Sequence, residues 1–205
     1  MSDVPGGALT RRWLLRNGLV ASVVGSAVGT TALLGGAPAR AATQSDASLL
    51  LPILGAELLA AFAYEQVIDA SVFSSHGQRV ARRVLAQERL HVAALSTELR
   101  RLDGTPPKPL SRVTDADKVL AAHQIPGSLG KLPNEHDALI LLARIEWLLE
   151  GFYHAALSKL QAPRLLQLSA QVMANEAQHA SMLSEVLHPG DVIKAVPSPF
   201  VLGTH

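Results

Sequence analysis

The feature that most constrains this chain is the placement of four glutamates. Apolar residues at three- and four-residue steps predict four helical segments, over about residues 47–72, 77–102, 134–160 and 163–187. In the first the stripe reads Leu50, Leu54, Glu57, Ala61, Tyr64, Ile68, and in the second Val84, Glu88, His91, Leu95, Leu102. The third gives Leu139, Leu142, Glu146, Leu149, Tyr153, Leu157 and Leu160. The fourth gives Leu165, Leu168, Val172, Glu176, His179, Leu183 and Val186. Each helix thus sets one carboxylate in the middle of the face that has to be buried.

The connections decide how these helices pair. Ala and Leu dominate the composition, and β-branched runs are scarce, as helices prefer. Residues 71–76 form a short link and residues 161–163 a tighter one, with Pro163 suited to a first helical turn. Short links join antiparallel neighbours, so the segments form two helical hairpins. Between them, residues 103–133 are rich in Pro and Gly, with a short helix expected near 114–123. A helix of about 26 residues is roughly 39 Å long, a distance this connection can retrace. The expected fold is all-α, a four-helix bundle of two antiparallel helical hairpins joined by one long crossover, over residues 42–190. His188, Pro189 and Gly190 stop the last helix. Residues 191–205, with Pro197 and Pro199, are expected to form an irregular C-terminal tail on the outside.

Depth along the hairpins brings the glutamates together. Glu57 and Glu88 lie about 17 and 14 residues from the first turn, and Glu146 and Glu176 about 15 and 14 from the second. All four therefore reach similar height in one core. An unpaired buried carboxylate costs several kcal/mol even after relaxation, and no Lys or Arg lies on any stripe. Two divalent cations would supply the missing charge. His91 and His179, each three residues after a stripe glutamate, add neutral nitrogen ligands on the same faces. One Glu-x-x-His is a weak signal. Two copies 88 residues apart, each with a core-facing Glu 31 or 30 residues upstream, are specific. The candidate ligands are Glu57, Glu88, His91, Glu146, Glu176 and His179.

The two tyrosines of the chain, Tyr64 and Tyr153, each follow a candidate ligand by seven residues. By position alone they are equally consistent with core filling. Glu65, Glu98, Glu150 and Glu185 fall off the stripes and are expected to be solvated, with Glu150 the second choice on the third helix. His76, His123, His136, His154, His188 and His205 read as loop or surface residues, and Trp147 as packing.

The N-terminal residues carry an address. Arg11 and Arg12 precede a weakly apolar run over about residues 18–34, and then Ala39 and Ala41 stand at cleavage-site spacing. The order resembles a bacterial twin-arginine export signal over residues 1–41. The run is short and rich in Gly, Ser and Thr, whereas a stable span needs roughly 20 strongly apolar residues. The resemblance implies transfer to the periplasm, cell envelope or exterior, with the twin-arginine translocation machinery as partner. Such signals carry folded proteins, often with a cofactor already loaded. Without this segment, which holds Arg11, Arg12, Arg16 and Arg40 against Asp3, 14 of the 18 basic and 16 of the 17 acidic residues remain. That near-neutral domain has no electrostatic footprint for nucleic acid. The absence of cysteine excludes disulfides, thiol nucleophiles and iron–sulfur ligation by this chain.

The pattern Glu57…Tyr64, Glu88-x-x-His91, Glu146…Tyr153, Glu176-x-x-His179 resembles the ferritin-like superfamily of di-metal carboxylate proteins, over about residues 48–187. The resemblance implies that Glu88 and Glu176 bridge two metals, while Glu57 with His91 and Glu146 with His179 complete the two ends. It also gives Tyr64 and Tyr153 a catalytic role, hydrogen-bonding near the ligands or passing an electron. No fifth helix of the cage-forming members is evident, and no cysteine-based electron relay exists in this sequence.

Three functions compete. The first is an oxidoreductase, of ferroxidase type, that binds two irons and reacts with O2 or peroxide. The second is a metal-binding or scavenging protein of the cell envelope without turnover, and the third a structural or partner-binding bundle. The same ligands accept manganese, which would point to peroxide disproportionation. A homodimer is compatible with each.

Overall fold

The computed structural model describes residues 37–196, with side chains from residue 45 onward. The expected export signal lies outside the described residues apart from its last five positions, as does most of the expected tail. Six helices are present among the described residues: α1 (Ala37–Asp69), α2 (Ser75–Arg101), α3 (Val113–Ala122), α4 (Glu135–Leu157), α5 (Pro163–Leu187) and α6 (Val192–Ala195). The fold is all-α.

Helix α1 begins ten residues before its expected start at about residue 47. The added stretch is Ala-rich, and alanine carries a helix without needing a buried stripe. The last positions assigned to the export signal are therefore helical. Pro52 sits inside α1 and removes the donor for the Ser48 carbonyl. Both residues are exposed, so water can take that carbonyl's bond. The tail also departs from the expectation, because Asp191 caps the one-turn helix α6 through the Lys194 amide.

Helix ends follow local chemistry. Ser74 caps α2 by accepting from the Gly77 amide, and Asn134 caps α4 by accepting from the Asp137 amide. At the far end of α2, Asp103 takes a φ of 59°. Its amide bonds the Arg100 carbonyl while the Gly104 amide bonds that of Leu99, a paired closure of the last turn. Gln124 closes α3 in the same way, with a φ of 57°, its amide on the Ala121 carbonyl and the Ile125 amide on that of Leu120.

Two contacts define the topology. The Glu135 carboxylate at the start of α4 accepts from the amide and hydroxyl of Ser74 at the start of α2. Asp46, the tenth residue of α1, accepts from the amides of Gln161 and Ala162 at the turn into α5. Helices α2 and α4 therefore start at one end of the bundle, and α1 and α5 start at the other. The connection from Arg101 to Glu135 retraces the whole bundle, with α3 packed against α1 on the way. Helix α1 is the most enclosed, flanked by α2, α3 and α4. It is apolar enough to pass for a membrane span, yet 61% of its most hydrophobic window is buried by its neighbours. The α1–α2 and α4–α5 hairpins join mainly through α1 and α4, and the α2–α5 seam is the loosest side.

Candidate metal centre

All four stripe glutamates reach the core. Glu57, Glu88, Glu146 and Glu176 are each 0% exposed, as is His179, and His91 is 9% exposed. The six side chains form two overlapping groups, one of Glu57, Glu88, His91 and Glu176, the other of Glu88, Glu146, Glu176 and His179. Within each group the ligand atoms lie within 4.8 Å of one another. Glu88 and Glu176 belong to both, so the cluster has two ends and a shared middle.

Contacts inside the cluster repeat with near two-fold symmetry. Nδ1 of His91 lies 2.8 Å from Glu176 Oε1 and 3.5 Å from Glu57 Oε2. Nδ1 of His179 lies 2.8 Å from Glu88 Oε1 and 3.5 Å from Glu146 Oε2. The Tyr64 hydroxyl on α1 donates to Oε1 of Glu146 on α4, and the Tyr153 hydroxyl on α4 donates to Oε1 of Glu57 on α1. Each hydroxyl crosses from one hairpin to the other. Both tyrosines are fully buried, and burial together with the adjacent carboxylate holds each phenol protonated, well above its usual range.

Several of these atoms are close without being paired. Glu57 Oε2, both oxygens of Glu88, His91 Nδ1, Glu146 Oε2 and Glu176 Oε1 are buried and have no hydrogen-bond partner. Proximity without alignment is the disposition of groups that face a common point instead of one another. Such orphaned atoms are costly in a core, and a cation among them would satisfy them together. The donor set of carboxylates and imidazole nitrogens fits a first-row transition metal.

Protons are the alternative compensation, and the electrostatics show how strongly it is needed. Burial drives the Glu57 carboxyl well above its usual range; the hydrogen bond with His91 opposes this, and the charges of Glu88 and Glu176 reinforce it. Burial and the charge of Glu88 do the same to Glu146. For the histidines burial works against the charged form, but the facing carboxylates prevail and push both up to about 12. Glu176, despite its burial, is held at about 2 by the two histidines.

The outer ring contains residues that the apolar spacing did not reveal. Nε2 of His91 meets Asn175 Oδ1 at 3.1 Å, and Nε2 of His179 meets Gln87 Oε1 at 2.9 Å. Each amide immediately precedes a cluster glutamate, a repeat that the sequence displays. Glu98 was expected to be solvated, but it is buried between Arg101 and Arg164 and ties α2 to α5. Its signal would have been an arginine on the facing helix, which spacing along one helix cannot show. Glu150, one turn beyond Glu146, is half-buried outside both groups, and burial with the charge of Glu176 raises its carboxyl. Trp147 was expected to pack, yet it points outward at 49% exposure because Glu146 takes the inward position beside it. His76, His123, His136 and His154 are exposed, and His188 is half-buried.

The sequence as a whole carries the same signature. A family model described as a ferritin-like domain matches residues 45–189, which span all six clustered side chains and both hairpins. The chain belongs to the ferritin-like domain family. None of the proteins of curated function matches it. The ferritin-like domain of this chain thus carries a buried acidic and histidine cluster with the spacing of a metal site.

Proposed function

We propose that the ferritin-like domain holds two divalent metal ions, iron in the first place, and acts as an exported oxidoreductase of ferroxidase type on O2 or peroxide. The observation that carries this reading is the set of buried, unpartnered ligand atoms arranged as two four-residue groups sharing Glu88 and Glu176. Four carboxylates balance the charge of two divalent ions, so the filled site would be neutral in its core. Bound iron would supply electrons to the oxidant, one from each ion.

The residues of the chain would do the rest. Glu88 and Glu176 face both ends and suit the bridging positions. Glu57 and Glu146 each accept a tyrosine hydroxyl on one oxygen, and the other oxygen of each would help to hold the ion at its own end. The protons that Glu57, Glu146 and the histidines hold in the metal-free protein would leave as the ions enter. The twin-arginine pattern at the N terminus supports export of a folded, loaded protein.

Elemental analysis of the full chain folded in the cytoplasm, followed by optical spectra before and after O2 or peroxide, tests the reading. Two irons per chain and a ferric absorption band that grows on oxidation are expected. Fewer than two ions, or a reduced site inert to both oxidants, would overturn it. Uptake with a single stoichiometric oxidation would leave a metal-holding protein without turnover.

A further inference from the structure

We propose that Gln87 and Asn175 are positioning residues of the cluster, each orienting the histidine of the opposite hairpin so that its Nδ1 faces the metal. The inference rests on the metal reading above and adds which residues fix the imidazoles and through which atoms.

A neutral imidazole carries one N–H, and the hydrogen bond made by one ring nitrogen decides what the other can do. In both rings Nε2 points outward, to Asn175 Oδ1 for His91 and to Gln87 Oε1 for His179. An amide oxygen accepts, so Nε2 keeps its proton, and the proton that leaves when a metal enters is the one on Nδ1, which frees that lone pair. Nδ1 is the nitrogen set among the cluster carboxylates in both cases. The two rings lie 5.9 Å apart and 24° from parallel, a fixed pair at the α2–α5 seam.

The arrangement is crossed. Gln87 lies on α2 beside Glu88 and serves His179 of α5, while Asn175 lies on α5 beside Glu176 and serves His91 of α2. The stretch of backbone that places a shared carboxylate therefore also places the acceptor for the other hairpin's histidine. Because the acceptors are amides, they set the ring tautomer without adding to a core that already holds four carboxylates. Metal-bound histidines generally need such a partner, and its removal costs about 10–100-fold in affinity.

Zinc is a suitable probe, since it accepts the same ligands and is silent to paramagnetic broadening. In the full chain with 15N-labelled histidine and zinc bound, both rings should coordinate through Nδ1 and both Nε2 protons should exchange slowly. Asn175→Leu should free the Nε2 proton of His91, leave that of His179 protected and weaken zinc binding about 10–100-fold. Gln87→Met should do the reverse, exposing His179 and sparing His91. Asn175→Asp keeps an acceptor and should restore both protection and affinity. Each variant shares its helix with the histidine it should spare, so mere disturbance of that helix would strike the wrong ring. Loss at the uncrossed histidine, or no change in either variant, overturns the proposal. Should Asn175→Leu fail to fold, Gln87→Met decides alone. If the unsubstituted protein takes up no zinc, the metal reading falls and this inference with it. Zinc uptake with both rings unchanged in the variants sinks the inference alone.

Discussion

Tyr64 on the first long helix donates its hydroxyl proton to Glu146 on the fourth helix in chain order, inside the core. The bond joins the two hairpins at the cluster and occupies one of two carboxylate oxygens. Tyr64→Phe would leave that oxygen buried without a donor, at a cost of about 1–3 kcal/mol. For a domain of this size the metal-free protein should melt roughly 2–10 °C lower. Saturating metal should recover part of the loss, because the freed oxygen can turn inward. Calorimetry with and without metal checks both points.

Glu146→Gln should separate the cluster's two ways of balancing charge. The folded metal-free protein already favours protonated Glu146, and glutamine mimics that form while still accepting from Tyr64. Without metal the variant should be at least as stable as the parent at pH 7. With metal at about 100 times the parent's dissociation constant, the parent should gain about 2.7 kcal/mol, and the variant most of that less. Equal stabilisation of both proteins by metal would count against Glu146 as a ligand. The same comparison applies to Glu57→Gln.

Metal-free protein should lose stability as pH rises from about 5 to 9. Glu57 and Glu146 keep protons in the fold that an unfolded chain releases above the ordinary 4.5. His91 and His179 act in the same direction. Their contribution is complete below the ordinary 6.5 and declines as pH climbs toward about 12. Glu176 opposes only in acid, where stability present above 4.5 disappears as pH falls toward about 2. Bound metal displaces the protons, so stability at saturating metal should instead rise with pH to about 7, where the unfolded chain has released its own, and then level off. Melting curves at pH 5, 7 and 9, with chelator or with zinc, read the two slopes.

Asp46→Ala tests the end of the bundle where the second hairpin turns. Asp46 is 1% exposed and accepts from two amides, those of Gln161 and Ala162. The helix that starts at Pro163 has no side-chain cap of its own. Its removal should cost about 1–3 kcal/mol and speed hydrogen exchange at Gln161 and Ala162, while metal affinity stays unchanged.

Arg11→Lys with Arg12→Lys tests the proposed export. Cell fractionation should find the parent outside the cytoplasm and the variant retained inside, folded and still able to take up metal. Equal distribution of the two proteins would remove the twin-arginine assignment.

Much of this molecule is legible from spacing. Three- and four-residue periodicity exposed the four helices, and link length paired them, because both are local properties of a chain that must bury an apolar stripe. The six clustered side chains were also within reach, since a charge on a buried stripe violates a rule strong enough to notice. Boundaries were less visible where no stripe is needed, as in the Ala-rich start at Ala37, or where a cap competes with propensity.

By itself the sequence determined that two hairpins would bring Glu57, Glu88, Glu146 and Glu176 to one height with His91 and His179 beside them. Only the tertiary structure decided which atoms meet across the hairpins. Tyr64 reaches Glu146 and not Glu57, Gln87 serves His179 and not His91, and Glu98 finds Arg164 on another helix. Periodicity reports which face of a helix is buried, whereas these pairings depend on how two faces are turned and set against each other.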